Sequence, residues 1–264
     1  MQSSEQAFIQ TVKRYYRARG RHALPWRQTH DPYSIAVSEI MLQQTQVSRV
    51  IDAYIRFIKK FPTVQSLARA PLRDVLVLWN GLGYNRRAKF LHQMAQAVVR
   101  DHAGIFPETI QGLQSLPGIG PYTAGAIYAF SYNKAFPIVE TNIRSVYIHH
   151  FFADKDSISD KELYPLIERT LQKRNPRQWY WALMDYGAYL KSAGIKNNAK
   201  SKHYAKQSRF EGSRRQIRGQ IMRSLVDGPQ TDQALLAIAP TARDVLRDLV
   251  REGLITKRGR SYHL

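Results

Sequence analysis

The chain has 264 residues, 44% hydrophobic and 23% charged, which is typical of a folded protein with one large or two smaller domains. It carries 40 Lys and Arg against 20 Asp and Glu, and the net charge of +20 opposes compaction unless a polyanion or an anionic surface balances it. The chain has no cysteine, which excludes disulfides, thiolate catalysis, and zinc or iron–sulfur centres held by thiolates.

Nothing in the sequence indicates a membrane segment. No run of about 18 apolar residues is present, so we expect no membrane-spanning helix and no membrane partner. The first residues lack the basic flank and the apolar core of a signal peptide. We therefore expect a soluble protein of the cytoplasm or nucleoid, with a polyanionic partner.

Short helices are predicted over most of the first 190 residues, because apolar side chains recur at helical spacing. Apolar side chains from Phe8 to Tyr16 predict a helix over about 5–19, and those from Val47 to Ile58 predict a second. Pro62-Thr63 predicts a helix break followed by a helix N-cap. Further helices are predicted over 71–78, 86–101, 107–115, 122–132, 160–174 and 176–189.

Residues 191–212 are predicted to form a basic connector. Between Lys191 and Arg223 the chain has ten basic residues and a single acid, Glu211. Aromatic rings such as Tyr204 and Phe210 are interleaved with the cations, which suits contact with a phosphate backbone. A solvated linker is the alternative.

The last 50 or so residues, 213–264, are predicted to form a separate small α+β domain. Ser213 is expected to cap a helix that runs to about 227, and Thr231 to open a short one that ends at Pro240. Thr241 begins a capping-box pattern for a third helix through Glu252. Residues 254–258 and 260–264 then predict a hairpin with a basic tip. This order predicts a winged helix, which places its third helix in a DNA groove or serves as a protein-interaction module.

The segment from Leu116 to Ile127 predicts two helices joined by a tight turn. Gly118 and Gly120 lie in the turn, and Pro121 follows at a plausible first helical position. Such a turn directs backbone N–H groups outward at a helix N-terminus, which suits a phosphate oxygen. An ordinary helix–helix turn is the alternative, and the carboxylate of Glu140, 18 residues after Tyr122, argues against it.

A single carboxylate, Glu39, lies within an apolar and amide-rich helix over residues 36–47. Burial would raise its pKa and make it a proton donor near neutral pH. Nearby glutamines offer both donors and acceptors, as recognition of a base requires. A helix with one solvent-facing Glu is the alternative.

A third motif runs from Leu78 to Lys89. Gly81 and Gly83 predict a tight loop that presents Leu82 and Tyr84. An apolar or aromatic tip can enter the space left when a base leaves the DNA stack, and cations that follow can hold phosphates.

Residues 24–190 resemble the helix–hairpin–helix DNA glycosylase superfamily, and most closely its MutY adenine glycosylase branch. The resemblance implies an all-α, two-lobed catalytic domain over 1–190, active as a monomer, which binds duplex DNA across a cleft and flips the target nucleotide into it. One lobe would be a six-helix barrel over about 24–134, and the other would come from 1–23 and 135–190. The matching motifs are Leu24-Pro-Trp-Arg27, Pro32-Tyr33, Ser38 to Val47, Leu78-Trp to Tyr84, Leu116 to Ile127 and Leu183-Met-Asp-Tyr-Gly187.

The resemblance also implies roles for individual residues. Glu39 would protonate the adenine ring, Glu140 would stabilise the oxocarbenium ion and the attacking water, and Asn142 would order that site. Tyr122 occupies the position of the Schiff-base lysine of bifunctional relatives and cannot form an imine, which implies no lyase activity. Gln44 and Tyr84 would probe and wedge the base pair. The DNA contacts expected are Gln43, Gln44, Leu82, Tyr84, Arg86, Arg87, Leu116, Gly118, Gly120, Tyr122, Thr123, Lys200 and Lys202, and a monovalent cation could bind the carbonyls of Leu116 and Ile119.

Three features depart from this family. The four cysteines that should follow Gly187 are absent, and a lysine-rich segment stands there, so we expect no cofactor. No large 8-oxoguanine-reading C-terminal domain is expected, and the winged helix takes its place. Glu140 stands where Asp is usual, which moves the carboxylate by about 1.5 Å on an unchanged backbone; we expect the backbone to compensate.

The sequence therefore predicts a monofunctional base-excision repair glycosylase that acts on a mispaired or damaged base in double-stranded DNA and leaves an abasic site, with adenine as first choice. One alternative keeps the chemistry and changes the base to thymine or uracil opposite guanine, or to deaminated adenine. Another alternative is a non-catalytic DNA-binding protein that uses the winged helix.

Overall fold

The computed structural model describes residues 2–204 and 209–264, with side chains from Ser4 onward. This part of the chain is mainly helical and carries one small antiparallel sheet, β1 (Gln230–Thr231), β2 (Thr256–Arg258) and β3 (Ser261–His263), with two 3₁₀ helices at Pro25–Arg27 and Asn197–Lys200. Its α-helices, in chain order, are α1 (Gln2–Arg19), α2 (Pro32–Leu42), α3 (Val47–Lys60), α4 (Val64–Arg69), α5 (Leu72–Trp79), α6 (Arg86–Asp101), α7 (Ile110–Gln114), α8 (Pro121–Tyr132), α9 (Thr141–Phe151), α10 (Asp160–Thr170), α11 (Pro176–Ser192), α12 (Arg214–Val226), α13 (Asp232–Leu236) and α14 (Ala242–Arg251).

Most of the predicted helices are confirmed, and α6 has the predicted bounds. Thr63 caps α4 as expected, by accepting a hydrogen bond from the Ser66 amide. Helix α9 was not predicted, because it buries side chains on more than one side and so shows no single apolar stripe. Helix α7 is shorter than predicted, and α10 ends at Thr170, because Leu171 already has an extended backbone.

The described chain divides into two compact units. The first comprises Met1–Ala36, Glu108–Gln114 and Ile119–Lys206, and the second comprises Val37–Pro107, Ser115–Gly118 and Gln207–Leu264. This division differs from the predicted lobes, because α8 packs against α7 and α11 and belongs with them in the first unit. It also places the C-terminal module, residues 213–264, in the same unit as helices α3 to α6.

In the first unit, α11 is the central helix and packs against α1, α8 and α9. Its Trp179 and Tyr180 are fully buried, together with Tyr147 of α9. Phe8 of α1 lies edge-on to the Trp179 ring, with the ring centroids 5.8 Å apart. The aromatic core therefore fixes α9 and α1 to the same helix.

In the second unit, α4 and α5 pack against α6, and α3 packs against α5. Trp79 is fully buried there, with Phe57 edge-on to its ring. In the C-terminal module, α12 and α13 pack against α14, and the strands are ordered β1-β3-β2. The module buries Ile221, Leu235 and Leu249.

The C-terminal module has the predicted order of three helices and a hairpin, and its first cap is confirmed, since the Ser213 side chain accepts a hydrogen bond from the Gln216 amide. Strand β1 was not predicted; it pairs Gln230 with Tyr262. The capping box at Thr241 is wrong, because Thr241 has φ −90° and ψ 6° instead of an extended backbone, and its side chain makes no capping hydrogen bond.

The connector is structured up to Tyr204, so the solvated-linker alternative is wrong for its first part. Asn197 is buried and donates to the Ser145 carbonyl. Ser201 forms an isolated parallel bridge with Ile158, and the Lys202 amide donates to the Ile158 carbonyl at 2.9 Å. Residues 205–208 lie outside the described residues. Within 2–204 and 209–264, no helix is both long and apolar enough to cross a bilayer.

Candidate active site and nucleic-acid interface

The predicted turn before α8 is present. Gly118 has φ +76°, a conformation that L side chains rarely adopt, and an added Cβ would also lie 2.6 Å from the Phe90 Cβ. Gly120 is the extended N-cap of α8, Pro121 is the first helical residue, and the space in front of Gly120 is open. A ligand can therefore approach the backbone at Gly120, directly before the N-terminus of α8, which is the kind of position where proteins bind phosphate.

Glu140 is the N-cap of α9 and has an extended backbone. Its Oε1 accepts a hydrogen bond from the Ile143 amide at 2.8 Å, and its Oε2 accepts one from Asn142 Nδ2 at 3.2 Å. Both oxygens are held by groups within three residues. The longer side chain is thus folded back against its own helix and held in one orientation.

Two opposing influences act on the Glu140 carboxyl. Burial raises its pKa above the usual range, because the charged form loses its hydration. The amides of Asn142 and Ile143 and the nearby Arg144 guanidinium oppose this effect, and burial prevails. A carboxylate held at a helix N-terminus with a raised pKa suits the stabilisation of a developing positive charge.

Gly187 is a residue whose role the sequence did not reveal. An added Cβ would lie 2.5 Å from the backbone oxygen of Asn142, so only glycine lets α11 approach α9 this closely. The start of α9, with Glu140 and Asn142, is therefore positioned by α11. A glycine inside an otherwise periodic helix was the available signal.

Asp185, two residues earlier, is the second role that sequence reasoning missed. It is buried and accepts two hydrogen bonds from Arg27, at 2.8 and 2.9 Å, and one from Arg21 Nε at 2.7 Å. Burial would raise its pKa, but the paired arginines hold it below the usual range. The ion pair between Arg27 and Asp185 thus joins two of the motifs that carry the family resemblance, Leu24 to Arg27 and Leu183 to Gly187.

Glu39 lies in α2 and its residue is only 6% exposed, so the solvent-facing alternative is wrong. Helix α2 ends at Leu42, and the two glutamines follow it directly. Gln44 is exposed and has φ +56°, a left-handed conformation that is uncommon outside glycine. The chain thus buries the acid and exposes an amide five residues later.

Arg87 joins α2 to the tyrosine loop, residues 80–85. Its guanidinium donates to the carbonyls of Ile40 and Met41 at 2.9 Å, and to those of Leu82 and Gly83 at 3.2 and 3.0 Å. Burial lowers its pKa to about 10. Arg87 was predicted to hold phosphates; that prediction is wrong, because the side chain is buried and its donors are used within the protein.

The tyrosine loop exposes one of its two predicted tip residues. Leu82 is 5% exposed, so it packs inside and is not available to enter DNA, which corrects the second prediction for this loop. Tyr84 is 41% exposed, and Arg86 beside it is exposed as well. The loop therefore presents an aromatic ring next to a cation.

The other predicted DNA contacts divide in a similar way. Leu116 is buried, which leaves only its backbone for contact, and Thr123 is buried in α8 beside the half-buried Tyr122. Lys200 donates its ammonium hydrogen to the Ala153 carbonyl and so fastens the connector. Lys202 is exposed.

An iron–sulfur cluster held by thiolates does not fit this chain. The segment after Gly187 offers lysine, asparagine and histidine side chains and no thiol. Among the residues that the structure describes, no group of three or more His, Cys, Asp or Glu could hold a metal ion. Hydrogen bonds from Asn197 and Lys200 to the carbonyls of Ser145 and Ala153 hold this segment instead.

The family model for "HhH-GPD superfamily base excision DNA repair protein" matches residues 37–174. The chain therefore belongs to this superfamily. It is 39% identical over 187 residues to the adenine DNA glycosylase of Buchnera aphidicola subsp. Baizongia pistaciae, covering 69% of this chain and 52% of that protein. It is 32% identical over 261 residues to the adenine DNA glycosylase of Mycolicibacterium smegmatis, covering 89% and 88%.

Two solved structures are also similar. A thermostable thymine-DNA glycosylase superposes with a TM-score of 0.64 at 25% identity, covering 75% of this chain and 95% of that one. An endonuclease III in complex with DNA gives a TM-score of 0.59 at 16% identity, covering 70% and 86%, which shows the shared fold. The chain spans about half the length of the Buchnera relative it matches.

Proposed function

We propose that the protein is a monofunctional DNA glycosylase of base-excision repair that removes adenine from a mispair in double-stranded DNA. The observation that carries this proposal is Glu140, a carboxylate with a raised pKa whose two oxygens are held at the start of α9 by Ile143 and Asn142. Similarity to the Mycolicibacterium smegmatis adenine DNA glycosylase over 89% of this chain supports the choice of base. We further propose that it acts as a monomer within the nucleoid.

The proposed reaction breaks the bond between adenine and C1′ of the sugar. Glu39 donates a proton to the ring, the base departs with the bonding electrons, and a positive charge develops on the sugar. Glu140 stabilises that charge and orients one water. The oxygen of this water bonds to C1′ while one of its O–H bonds breaks and the proton passes to the Glu140 carboxylate, which leaves an abasic site. A preorganised group of this kind contributes about 3 kcal/mol to a barrier.

Tyr122 supports hydrolysis without strand cleavage. It is the second residue of α8, directly after the hairpin turn. A phenol does not form an imine with C1′, so no covalent intermediate would precede β-elimination. The product is expected to be an intact strand with an abasic site.

The DNA contacts in this proposal come from side chains that are at least partly exposed and from backbone groups at the hairpin turn. We assign base-pair probing to Gln43, Gln44 and Tyr84, and phosphate contact to Arg86, Lys202 and the backbone at Gly118, Gly120, Tyr122 and Thr123. We assign no direct DNA contact to the side chains of Leu82, Arg87 and Lys200, which stabilise the tyrosine loop and the connector from inside the protein. Leu116 is buried and would contact DNA only through its backbone. The basic C-terminal module is expected to add affinity.

A second candidate is excision of thymine or uracil opposite guanine. It is favoured by the similarity to a thermostable thymine-DNA glycosylase, 95% of which is covered. The block from Ser38 to Val47 favours adenine instead, because it is typical of the MutY branch.

Single-turnover assays on defined duplexes separate these candidates. The target would be adenine opposite guanine or 8-oxoguanine, thymine or uracil opposite guanine, or hypoxanthine opposite thymine, with hot alkali to reveal abasic sites. We expect cleavage after alkali on the adenine duplexes, and none before it. No cleavage on any adenine duplex would refute adenine, and unchanged activity in both Glu39→Gln and Glu140→Gln would refute the mechanism.

A further inference from the structure

Tyr84 is an exposed aromatic residue in a constrained conformation. It has φ +48°, in the left-handed region, and follows Gly81 and Gly83, which also have positive φ. A bulky residue stays in this region only where the surrounding structure dictates it. The Trp79 indole donates to the Gly83 carbonyl at 3.1 Å, and Arg87 holds the same carbonyl at 3.0 Å. The backbone that presents Tyr84 is therefore fixed from inside.

The Tyr84 side chain is held from the C-terminal module. Arg215 lies in the first turn of α12, 131 residues further along the chain, and its guanidinium donates to the Tyr84 hydroxyl at 3.1 Å. The phenol oxygen is the accepting atom, because the guanidinium has no acceptor. One hydrogen bond thus reaches from the module to the tip of the tyrosine loop.

This contact is supported by a second attachment of the module. Lys89, in the first turn of α6, donates to the Glu252 carbonyl at the end of α14 at 2.5 Å. The Glu252 carboxylate accepts two hydrogen bonds from Arg218, at 3.1 and 2.6 Å, which ties α14 to α12. Arg218 lies three residues after Arg215 on α12. Arg215 is therefore carried by a helix that is itself anchored next to the tyrosine loop.

Positive charge is concentrated around the Tyr84 ring. The Arg87 guanidinium lies 5.5 Å from the ring centroid, and the exposed Arg49 donates to the Gly81 carbonyl in the same loop. An exposed aromatic face among guanidinium groups suits a nucleobase, which stacks on the ring while its phosphates meet the cations. The Tyr84 ring, the exposed Arg49 and the partly exposed Arg215 thus form a surface with the chemistry of a base contact, and the buried Arg87 supports the ring from inside.

We propose that Arg215 is a positioning residue for Tyr84, through which the C-terminal module controls discrimination between bases opposite the excised one. This inference rests on the proposed function and adds a determinant of specificity to it. Residue 215 lies outside the segment 37–174 that matches the family. Without this hydrogen bond the phenol ring loses its attachment to the module, and mispairs would be probed by a ring that is held less firmly.

The experiment compares single-turnover rates on adenine duplexes that differ only in the opposite base: guanine, 8-oxoguanine or cytosine. The variants are Arg215→Ala, Arg215→Lys, Tyr84→Phe and the double Arg215→Ala/Tyr84→Phe. Tyr84→Phe removes one oxygen, so it tests the hydrogen bond even if an Arg215 variant folds poorly. The matched control is Arg223→Ala, which removes an exposed arginine from the same helix.

We expect Arg215→Ala to reduce the ratio of the fastest to the slowest duplex by about tenfold, and Tyr84→Phe to do the same. The double variant should lose no more than either single variant, because both remove one interaction. Arg215→Lys should restore part of the ratio. Arg223→Ala should leave the ratio unchanged while weakening affinity for all duplexes.

Two results would overturn the inference. If Arg215→Ala lowers the single-turnover rate, or weakens binding, by the same factor on all duplexes, Arg215 is only a phosphate contact. If the losses in the double variant multiply, Arg215 and Tyr84 act separately. Should the wild-type protein prove inactive on every duplex, the proposed function fails, and the same variants are then compared by their preference for binding mispaired over matched DNA. An unchanged binding preference in Arg215→Ala would refute the inference there as well.

Discussion

The start of α9 and the tyrosine loop are two candidate site regions that are held in place in different ways. At the start of α9, both carboxylate oxygens of Glu140 accept hydrogen bonds from groups within three residues, and Gly187 of α11 sets the distance between α11 and α9. In the tyrosine loop, Arg87 reaches carbonyls 46 and 47 residues away, and Arg215 reaches Tyr84 across 131 residues. The first arrangement is local and resists change elsewhere, whereas the second depends on the packing of a whole unit.

The largest effect is expected from Asp185, which supports the local region through α11. Asp185→Asn leaves Arg27 buried beside a neutral amide and should cost about 3–5 kcal/mol of unfolding free energy. The carboxyl has a lowered pKa in the folded state, so its stabilisation is present above the unfolded pKa, about 3.9, and is lost as the pH falls through the folded value.

Denaturant unfolding at pH 7 and at pH 3 measures this effect. The difference in stability between wild type and Asp185→Asn should be smaller at pH 3. An equal difference at both pH values would show that the carboxylate charge does not contribute.

The next effect concerns Glu140 and the chemical step. Glu140→Gln keeps an oxygen that can accept the Ile143 hydrogen bond but removes the charge, so the single-turnover rate should fall by about 10²–10³-fold with little change in melting temperature. Glu140→Asp should remain more active than Glu140→Gln, since it keeps the charge. A glutamine variant as fast as wild type would show that Glu140 is only a helix cap.

A smaller effect is expected from Arg87, whose hydrogen bonds join α2 to the tyrosine loop. Arg87→Met keeps the side-chain stem but leaves the carbonyls of Ile40, Met41 and Leu82 without their donor, which should cost at least about 2 kcal/mol. Because Arg87 holds the tyrosine loop, the variant should also reduce discrimination between opposite bases. Unfolding by denaturant measures the loss of stability, and the rate ratio defined for Arg215 measures the loss of discrimination. An Arg87→Met variant as stable as wild type would show that these hydrogen bonds do not hold α2 and the tyrosine loop together.

The sequence predicted those features of the two regions whose contacts lie close together in the chain, and it missed those whose contacts are distant in the chain. The cap at Ser213, helix α6 and the hairpin turn were predictable, because each depends on residues within a few positions of one another. Leu82 and Arg87 were assigned to the surface by their residue types, whereas long-range packing buries both. Gly187 and Asp185 lie in a motif that indicated the family but not the roles of these two residues. Their partners, Asn142 and Arg27, come from distant segments of the chain, so the sequence did not reveal the contacts.

Helix α9 offers a pH test at the end opposite Glu140. Burial, with a contribution from neighbouring His149, lowers the pKa of His150 to about 4. The folded state thus binds the proton more weakly than the unfolded chain, whose His pKa is about 6.5, so stability is lost as the pH falls from about 6.5 towards 4.

The loss attributable to His150 should be about 2 kcal/mol, after allowance for partial exposure. Its ring lies 5.0 Å from the Phe8 ring and 5.7 Å from that of Tyr186, so His150→Phe keeps the aromatic packing. Melting curves between pH 4 and 7 should be flatter for this variant than for wild type. His149→Phe, which removes only the contribution of the neighbouring imidazole, should flatten them less. Parallel curves for His150→Phe and wild type would rule out the effect.

The smallest effect expected belongs to α14. Arg243, Arg247 and Arg251 recur every four residues and are exposed on one face of this helix, and Arg258 and Arg260 flank the turn between β2 and β3. If this face meets DNA phosphates, Arg247→Ala should weaken binding of all duplexes alike and reduce the slope of log Kd against log salt by about one unit. It should leave the ratio of rates between opposite bases unchanged, in contrast to Arg215→Ala. A salt slope equal to that of wild type would place the face away from DNA and leave it for another partner, whereas a changed ratio would extend control of specificity from α12 to α14.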